Sequence, residues 1–147
     1  MLFFARTVIT KENTMNKIWV DDIRRPPNDS WNWARTNDDA RELLQRQPYD
    51  IASLDHDLGL HFHDPDMPDA DMQVLGCDWP QDDGEQLAKW LHRNPQFTPK
   101  LIRIHSFNPV GARRMKRILD ADPQVTTIIR PFDPRWRTHR DPDFEGL

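Results

Sequence analysis

The sequence predicts an α/β protein built on a doubly wound parallel sheet with helices on both faces. Short apolar segments rich in β-formers alternate along the chain with segments of helical periodicity, which is the pattern of βαβ units. The 147 residues are enough for one such domain with a core of its own.

Five strands are predicted from apolar runs that end in polar residues. The first, KIWV, stops at two aspartates, and the second, WNWART, alternates between apolar and polar positions. The third carries the sequence YDIASLDHDL, and the last two are KLIRIHS and TTIIRPF. The predicted strands are therefore residues 17–20, 31–36, 49–58, 100–106 and 126–132.

Three helices are predicted from apolar residues at helical spacing. Asn37 and Asn108 are the predicted capping residues of the first and third helices, and Pro109 suits a first helical position. Pro26 and Pro27 exclude a long helix between the first two strands. The predicted helices are residues 37–47, 82–94 and 108–122.

The other segments define the domain organisation. Residues 1–14 are predicted to be a disordered leader, with Met15 as an alternative start, and the domain is expected to occupy residues 15–133. Residues 59–83 are an insertion rich in Asp and Pro, which is typical of lids, binding loops or disorder. Residues 134–147 are polar and interrupted by proline, so we expect an irregular tail.

Composition excludes several classes of partner and site. The net charge of −4 gives no sign of binding to duplex DNA, although local arginines could still serve a small phosphorylated ligand or an RNA end. The single cysteine, Cys77, excludes an internal disulfide or a cysteine-only zinc site and fits a reducing compartment. The short apolar start is not a membrane span, so we expect a cytoplasmic protein.

Polar side chains follow four of the predicted strands. In a parallel sheet the carboxyl ends of the strands meet at one edge, and this is where such folds bind ligands. The residues that we expect at this edge are Asp21, Asp22, Asp55, His56, Asp57, His105, Ser106 and Arg130.

The clustered aspartates predict a metal site. Asp21, Asp22 and Asp55 at neighbouring strand ends would repel one another unless a cation lies between them. Mg²⁺, or Mn²⁺ in its place, prefers such oxygen ligands and leaves positions open for phosphate oxygens. The alternative is that one aspartate of the pair is only solvated at the start of a loop.

Several motifs resemble known families. The order WVDD, DIASLD, DGEQLAKWL, IRIHS, IIRPF resembles the receiver domain of response regulators over about residues 17–133. The segments DDIRRPP, SLDHDLG and IHSFNPVG resemble a narrower group, the cyclic-phosphate-processing receiver-like domains. The resemblance implies a flavodoxin-like, five-stranded sheet of order 2-1-3-4-5. It also implies that Asp55 matches the phospho-acceptor, that Ser106 matches the conserved hydroxyl position, and that Arg130 replaces the receiver lysine.

The histidines are candidates for proton transfer. His56 and His105 lie at the ends of predicted strands, where they could act as general acid and base across one phosphate, while Asp55 could instead attack as a nucleophile. Strand alternation leaves another possibility open: His56 points away from Asp55 and contacts a helix.

Four residues are candidates for holding phosphate. Arg130 offers a planar fork that matches phosphate oxygens, although a salt bridge to an acid is an equal alternative. Ser106 can donate a hydrogen bond, and Arg24 lies in a loop stiffened by two prolines. Asn108 lies where a helix N-terminus attracts anions, but an N-cap role alone would also explain it.

The leading hypothesis is a metal-dependent phosphohydrolase acting on a cyclic phosphate, such as an RNA 2′,3′-cyclic phosphate end or a cyclic nucleotide. One alternative is a non-catalytic receiver-like signalling or phospholigand-binding module, related to phage or defence. Another is an interaction protein whose 59–83 loop docks a partner. The sequence leaves the oligomeric state open.

Overall fold

The sheet has the predicted architecture. A computed structural model describes residues 15–58 and 82–144, so the predicted leader and nearly all of the predicted insertion lie outside the described residues. Its five strands are all parallel and follow the order β2-β1-β3-β4-β5, which confirms the fold class. The strands are β1 (Lys17–Val20), β2 (Trp31–Ala34), β3 (Ile51–Leu54), β4 (Leu101–Ile104) and β5 (Thr126–Ile129).

Helices follow β2, β3 and β4. They are α1 (Asn37–Arg46), α2 (Gly84–Arg93) and α3 (Pro109–Leu119), with short 3-10 helices at Pro95–Phe97 and Pro134–Arg137. The cap of α3 is Asn108, as predicted, because its side chain accepts from the amide of Gly111.

The predicted cap of α1 was wrong by one residue. Thr36 caps this helix by accepting from the amide of Asp39. Asn37 is instead buried, and its side-chain amide donates to the Asp82 carboxylate at 2.7 Å and to the Asp83 carbonyl at 2.8 Å. Asn37 therefore ties the start of α1 to the residues that precede α2.

One face of the sheet packs against all three helices. Alternate strand residues such as Ile18, Val20 and Ile104 point to this face, where they are shielded from solvent. The helices add their apolar stripes to the same core, including Ala40, Leu44, Leu87, Leu91, Met115 and Leu119. This is the main hydrophobic core of the domain.

A segment that follows β5 covers the other face. Its aromatic side chains pack with strand residues in a second cluster formed by Trp19, Trp31, Ile51, Phe132, Trp136 and Phe144. The prediction of helices on both faces was therefore wrong for the described residues. Prolines explain the difference, because Pro26 and Pro27 prevent a helix between β1 and β2, while Pro131 and Pro134 prevent one directly after β5.

A buried arginine anchors this C-terminal segment, defined here as residues 133–144. Arg103 lies in the middle of β4 and is fully buried, with its guanidinium 3.6 Å from the ring centre of Trp136 and 4.4 Å from that of Phe144. Its Nη1 donates to both carboxylate oxygens of Asp141, at 2.7 and 2.8 Å, and to Asp143 at 3.1 Å. The segment predicted to be an irregular tail is thus held by a paired charge inside an aromatic layer.

No helix among residues 15–58 and 82–144 has the length and apolar character to cross a membrane.

Asp141→Ala should lower the free energy of unfolding by about 3 kcal/mol, because it leaves the buried Arg103 with only part of its counter-charge. Urea denaturation measures the change. The matched control is Glu42→Ala, which removes an exposed ion pair with Arg46 on α1 and should cost about 0.5 kcal/mol or less. Equal losses in the two variants would contradict the anchoring role of Arg103.

Candidate functional site

Three aspartates converge at the carboxyl edge of the sheet. β1 and β3 are neighbours in register, with Val20 opposite Leu54, and both end at these residues. Asp21, Asp22 and Asp55 follow at once, are all buried, and offer ligand atoms within 4.8 Å of one another. The structure therefore brings together the three residues that were predicted to bind a metal.

Asp21 is held as an ionised acceptor. Its Oδ1 accepts from the backbone amides of Ile23 and Arg24 at 2.9 and 2.8 Å, and its Oδ2 lies 2.9 Å from Nε2 of His105. Burial alone would raise the pKa of Asp21, but the hydrogen bonds from His105 and from the two amides outweigh burial and lower it. Asp21 therefore carries its negative charge inside the protein.

Asp55 is the member of the cluster whose ionised form is disfavoured by its surroundings. Burial, and then the charge of Asp21, raise the pKa of Asp55 to about 7. The amide of His56 donates to its Oδ1 at 2.8 Å, and a hydrogen bond with the Ser106 side chain partly offsets the rise. A cation placed beside such a carboxyl group would stabilise its ionised form.

Arg24 is the cation that lies beside this cluster. Its Nη1 is 3.5 Å from Oδ2 of Asp21 and 3.6 Å from Oδ2 of Asp55. The guanidinium also lies over the ring of Phe107, 4.7 Å from the ring centre, and its side chain is 31% exposed. The loop after β1 therefore places one positive charge between two carboxylates and solvent.

The donor set fits a hard divalent cation. Asp21 and Asp55 have Arg24 as a common neighbouring cation, at 3.5 and 3.6 Å, and the raised pKa of Asp55 results first from burial and then from the charge of Asp21. Carboxylate oxygens are the ligands that Mg²⁺ and Mn²⁺ prefer. Asp21, Asp22 and Asp55 are thus the residues that would hold such an ion.

His105 lies beneath the cluster. The ring is fully buried and stacks on Trp19 at 4.1 Å between ring centres, with an interplanar angle of 9°. Nε2 contacts Asp21, Nδ1 is 2.8 Å from Oγ of Ser53, and burial lowers the pKa of His105 to about 4 despite the opposing effect of Asp21. The position of His105 after β4 predicted that it exchanges a proton with a ligand. The structure instead gives it a neutral ring with both nitrogens occupied, suited to orienting Asp21.

His56 faces the start of α3. Its Nδ1 is 2.7 Å from Oδ1 of Asp57, and its Nε2 is 3.6 Å from Oδ2 of Asp83. The ring lies so close to Gly111 that a Cβ there would be 2.4 Å from His56 Cδ2, and the side chain is 12% exposed. His56 thus contacts a helix, as in the alternative, although β3 ends at Leu54 and does not continue as a regular strand to Leu58.

The predicted phosphate-binding residues have different surroundings. Ser106 bonds Asp55 and lies on the cluster. Asn108 uses its Oδ1 to cap α3, while its Nδ2 is 3.3 Å from Oδ1 of Asp57. Arg130 pairs through Nε with Asp143 at 2.7 Å, so the salt-bridge alternative describes it, with a partner outside the acidic cluster. Ser106 and Arg24 are the two of the four that contact the clustered carboxylates.

Two buried polar residues near the site, Ser53 and Arg103, were not among the residues predicted from the sequence. Both are fully buried, and Nε of Arg103 donates to Oγ of Ser53 at 3.2 Å. In the sequence, each is a polar residue inside a short apolar strand, IASL or LIRI. In the structure, both lie on the same face of the sheet as Trp19.

Comparison with known proteins agrees with this geometry. The family model described as the cyclic-phosphate processing receiver domain matches residues 16–121. The chain belongs to this family. The matched region contains all three clustered aspartates together with Arg24 and Ser106, and it ends before β5 and the C-terminal segment. No curated protein matches the chain. The family description assigns the chain a role in cyclic-phosphate processing on a receiver scaffold.

Asp55→Asn should stabilise the metal-free protein relative to wild type as the pH rises. The pKa of Asp55 rises on folding from 3.8 to about 7, so the folded wild type binds its proton more tightly and loses stability between these pH values. His105, with its lowered pKa, has the opposite slope but is present in both proteins. Urea unfolding in chelator from pH 4 to pH 8 measures the difference, which should reach a few kcal/mol. Parallel pH profiles would contradict the assignment.

Proposed function

We propose that the protein is a metal-dependent phosphohydrolase that opens cyclic phosphates, either at a 2′,3′-cyclic RNA end or in a cyclic nucleotide. One observation carries the proposal: three buried carboxylates lie within 4.8 Å of one another beside Arg24 and Ser106, in a member of a cyclic-phosphate processing family. This combination supplies anionic ligands for a metal and donors for a phosphoryl group at one edge of the sheet.

Asp21, Asp22 and Asp55 are the proposed ligands of Mg²⁺ or Mn²⁺. When bound, the ion would neutralise these acids and stabilise the charge that develops on the phosphoryl group. Arg24 then has less carboxylate charge to balance and is available to bind phosphate oxygens, for which its planar guanidinium is suited. The Ser106 hydroxyl has one proton, which it donates to Asp55 in the metal-free protein and would donate to the phosphoryl group once the ion neutralises Asp55.

The proposed reaction adds one water molecule to the ring. The water oxygen bonds to phosphorus, one ring P–O bond breaks, and the departing ribose oxygen takes a proton and becomes a hydroxyl. Asp55 is the proposed acceptor of the proton from water. The ribose oxygen takes its proton from solvent, because the ring of His56 faces the start of α3 and Asp83 rather than the clustered carboxylates. His105 acts by orienting Asp21.

Two exposed apolar side chains beside the site favour a substrate that carries a base. Phe107 directly follows Ser106 and is 58% exposed, and Ile23 directly follows Asp22 and is 61% exposed. An aromatic ring next to a phosphate site is suited to stacking a nucleobase. Since the Arg24 guanidinium lies over Phe107, the group proposed to bind phosphate and the group proposed to bind the base are fixed relative to each other.

The decisive experiment incubates the protein and Mg²⁺ or Mn²⁺ with RNA ending in a 2′,3′-cyclic phosphate and, separately, with cyclic nucleotides. We expect phosphomonoester release over many turnovers, loss of this activity in chelator, and a rate at least about 10²-fold lower for Asp55→Asn. The matched control Asp120→Asn alters an exposed aspartate that pairs with Lys116 and should keep full activity. Absence of turnover on every cyclic phosphate, or full activity of Asp55→Asn, would refute the proposal.

Phe107→Ala should raise the KM for base-carrying substrates about tenfold, because a stacked base contributes about 1 to 3 kcal/mol. Phe107→Tyr keeps the ring and is the matched control. Steady-state kinetics with glycerol 1,2-cyclic phosphate, which has no base, should give the same KM for all three proteins. A KM that rises equally on that compound would show that Phe107 supports the site in another way.

A non-catalytic receiver-like module is the second candidate. The hydrogen bond between Ser106 and the carboxyl group of Asp55 favours it, since that pair matches the receiver phosphorylation site by resemblance. This function predicts one phosphoryl group per chain at Asp55 from a small phosphodonor, and binding without turnover. Intact-mass measurement after incubation with acetyl phosphate separates the two functions.

A further inference from the structure

A row of four buried polar side chains runs from the candidate site across the sheet. Oδ2 of Asp21 is 2.9 Å from Nε2 of His105, Nδ1 of His105 is 2.8 Å from Oγ of Ser53, and Oγ of Ser53 is 3.2 Å from Nε of Arg103. Asp21, His105, Ser53 and Arg103 each have 0% relative exposure. We call these four residues the buried row.

The direction of every hydrogen bond in the buried row follows from its last member. The guanidinium of Arg103 is always charged and can only donate, so Oγ of Ser53 must accept from it. The Ser53 hydroxyl proton then points to Nδ1 of His105, its remaining partner among residues 15–58 and 82–144. Nδ1 is thereby an acceptor, so the neutral ring carries its proton on Nε2, where it faces Asp21.

The reverse direction would leave two groups unsatisfied. A proton on Nδ1 would point at Ser53 and leave the hydroxyl proton of Ser53 without an acceptor in the described part of the chain. The bare Nε2 would then face the carboxylate of Asp21 at 2.9 Å, lone pair against lone pair. Unsatisfied polar groups are costly where no water reaches them.

The C-terminal segment holds the donor that sets this direction. Arg103 lies between Trp136 and Phe144 and is paired with Asp141 and Asp143. All four of these partners lie beyond residue 121, where the match to the family ends. The buried row thus connects a segment outside the family match to an aspartate of the candidate site.

We propose that Ser53 and Arg103 are positioning residues, which fix the Nε2–H form of His105 and so keep a hydrogen-bond donor on Asp21 at all times. This inference rests on the proposed function only in treating Asp21 as a metal ligand. With one oxygen of Asp21 tied to backbone amides and the other to His105, the carboxylate has a single orientation. A fixed ligand orientation is what supporting residues provide at metal sites.

Long-range ¹H–¹⁵N NMR of the imidazole nitrogens in the full-length, metal-free protein tests the direction. We expect the Nε2–H form of His105 in wild type. In Asp21→Ala, where the carboxylate no longer favours either form, the same form should persist because Ser53 still donates to Nδ1. In Asp21→Ala/Ser53→Ala, a mixture of the two neutral forms should appear. An Nδ1–H ring in wild type or in Asp21→Ala, or one unchanged form in the double variant, would overturn the proposal.

Metal affinity tests the consequence of this positioning. Ser53→Ala should weaken Mn²⁺ binding about tenfold, the lower limit for loss of a supporting hydrogen bond at a metal ligand, as measured by electron paramagnetic resonance of free Mn²⁺. The matched control is Thr127→Val, which removes a buried β5 hydroxyl that has no partner among the described residues and should leave affinity unchanged. Equal affinities in the two variants would overturn the positioning role. Both measurements stand even if no cyclic phosphate is hydrolysed.

Discussion

The crowding of three buried carboxylates at one edge of the sheet is the constraint on which the rest of the site depends. β1 and β3 end side by side, so the acidic residues after each strand are forced into one small volume. The pKa values of two of these carboxyl groups shift in opposite directions. Asp21 is kept ionised by backbone amides and His105, whereas the charge of Asp55 is disfavoured by burial and by Asp21 itself. Arg24 lies 3.5 and 3.6 Å from these two carboxylates, and the cation proposed to bind here would further stabilise their ionised forms.

Burial of this site requires a cover on the face that lacks helices. With prolines between β1 and β2 and again after β5, the chain uses aromatic side chains of the C-terminal segment where a doubly wound fold would place helices. Arg103 is what makes that cover specific, because a fully buried guanidinium keeps its charge and is stable there only with carboxylates beside it. The same residue donates to Ser53 and so takes part in both the closure of the core and the support of Asp21.

Local pattern predicted the sheet and the three clustered aspartates, through alternation and the rule for strand ends, whereas the strand order was implied by the resemblance to receiver domains. It did not predict which polar residues would be covered. His105 and Arg130 follow strands just as Asp55 does, yet one lies beneath Trp19 and the other pairs with Asp143. Those outcomes depend on where residues 133–144 pack, and a proline-rich segment without periodicity carries no signal of its docking site. The strand LIRI held the best available clue, since a charge inside it needs a distant partner.

The pairing of Arg130 changes which arginine lies beside the clustered carboxylates. By resemblance Arg130 stands in the place of a lysine that faces the phospho-acceptor, but here its Nε is bound to Asp143, which also accepts from Arg103. The cation beside the carboxylates comes instead from the loop after β1, where the hydrogen bonds of Asp21 fix the backbone of Arg24. Because Arg24 is partly exposed and lies against Phe107, it can contact a ligand that approaches from solvent and is larger than a phosphoryl group on Asp55. This placement supports the proposed recognition of a diester over a phosphorylation switch.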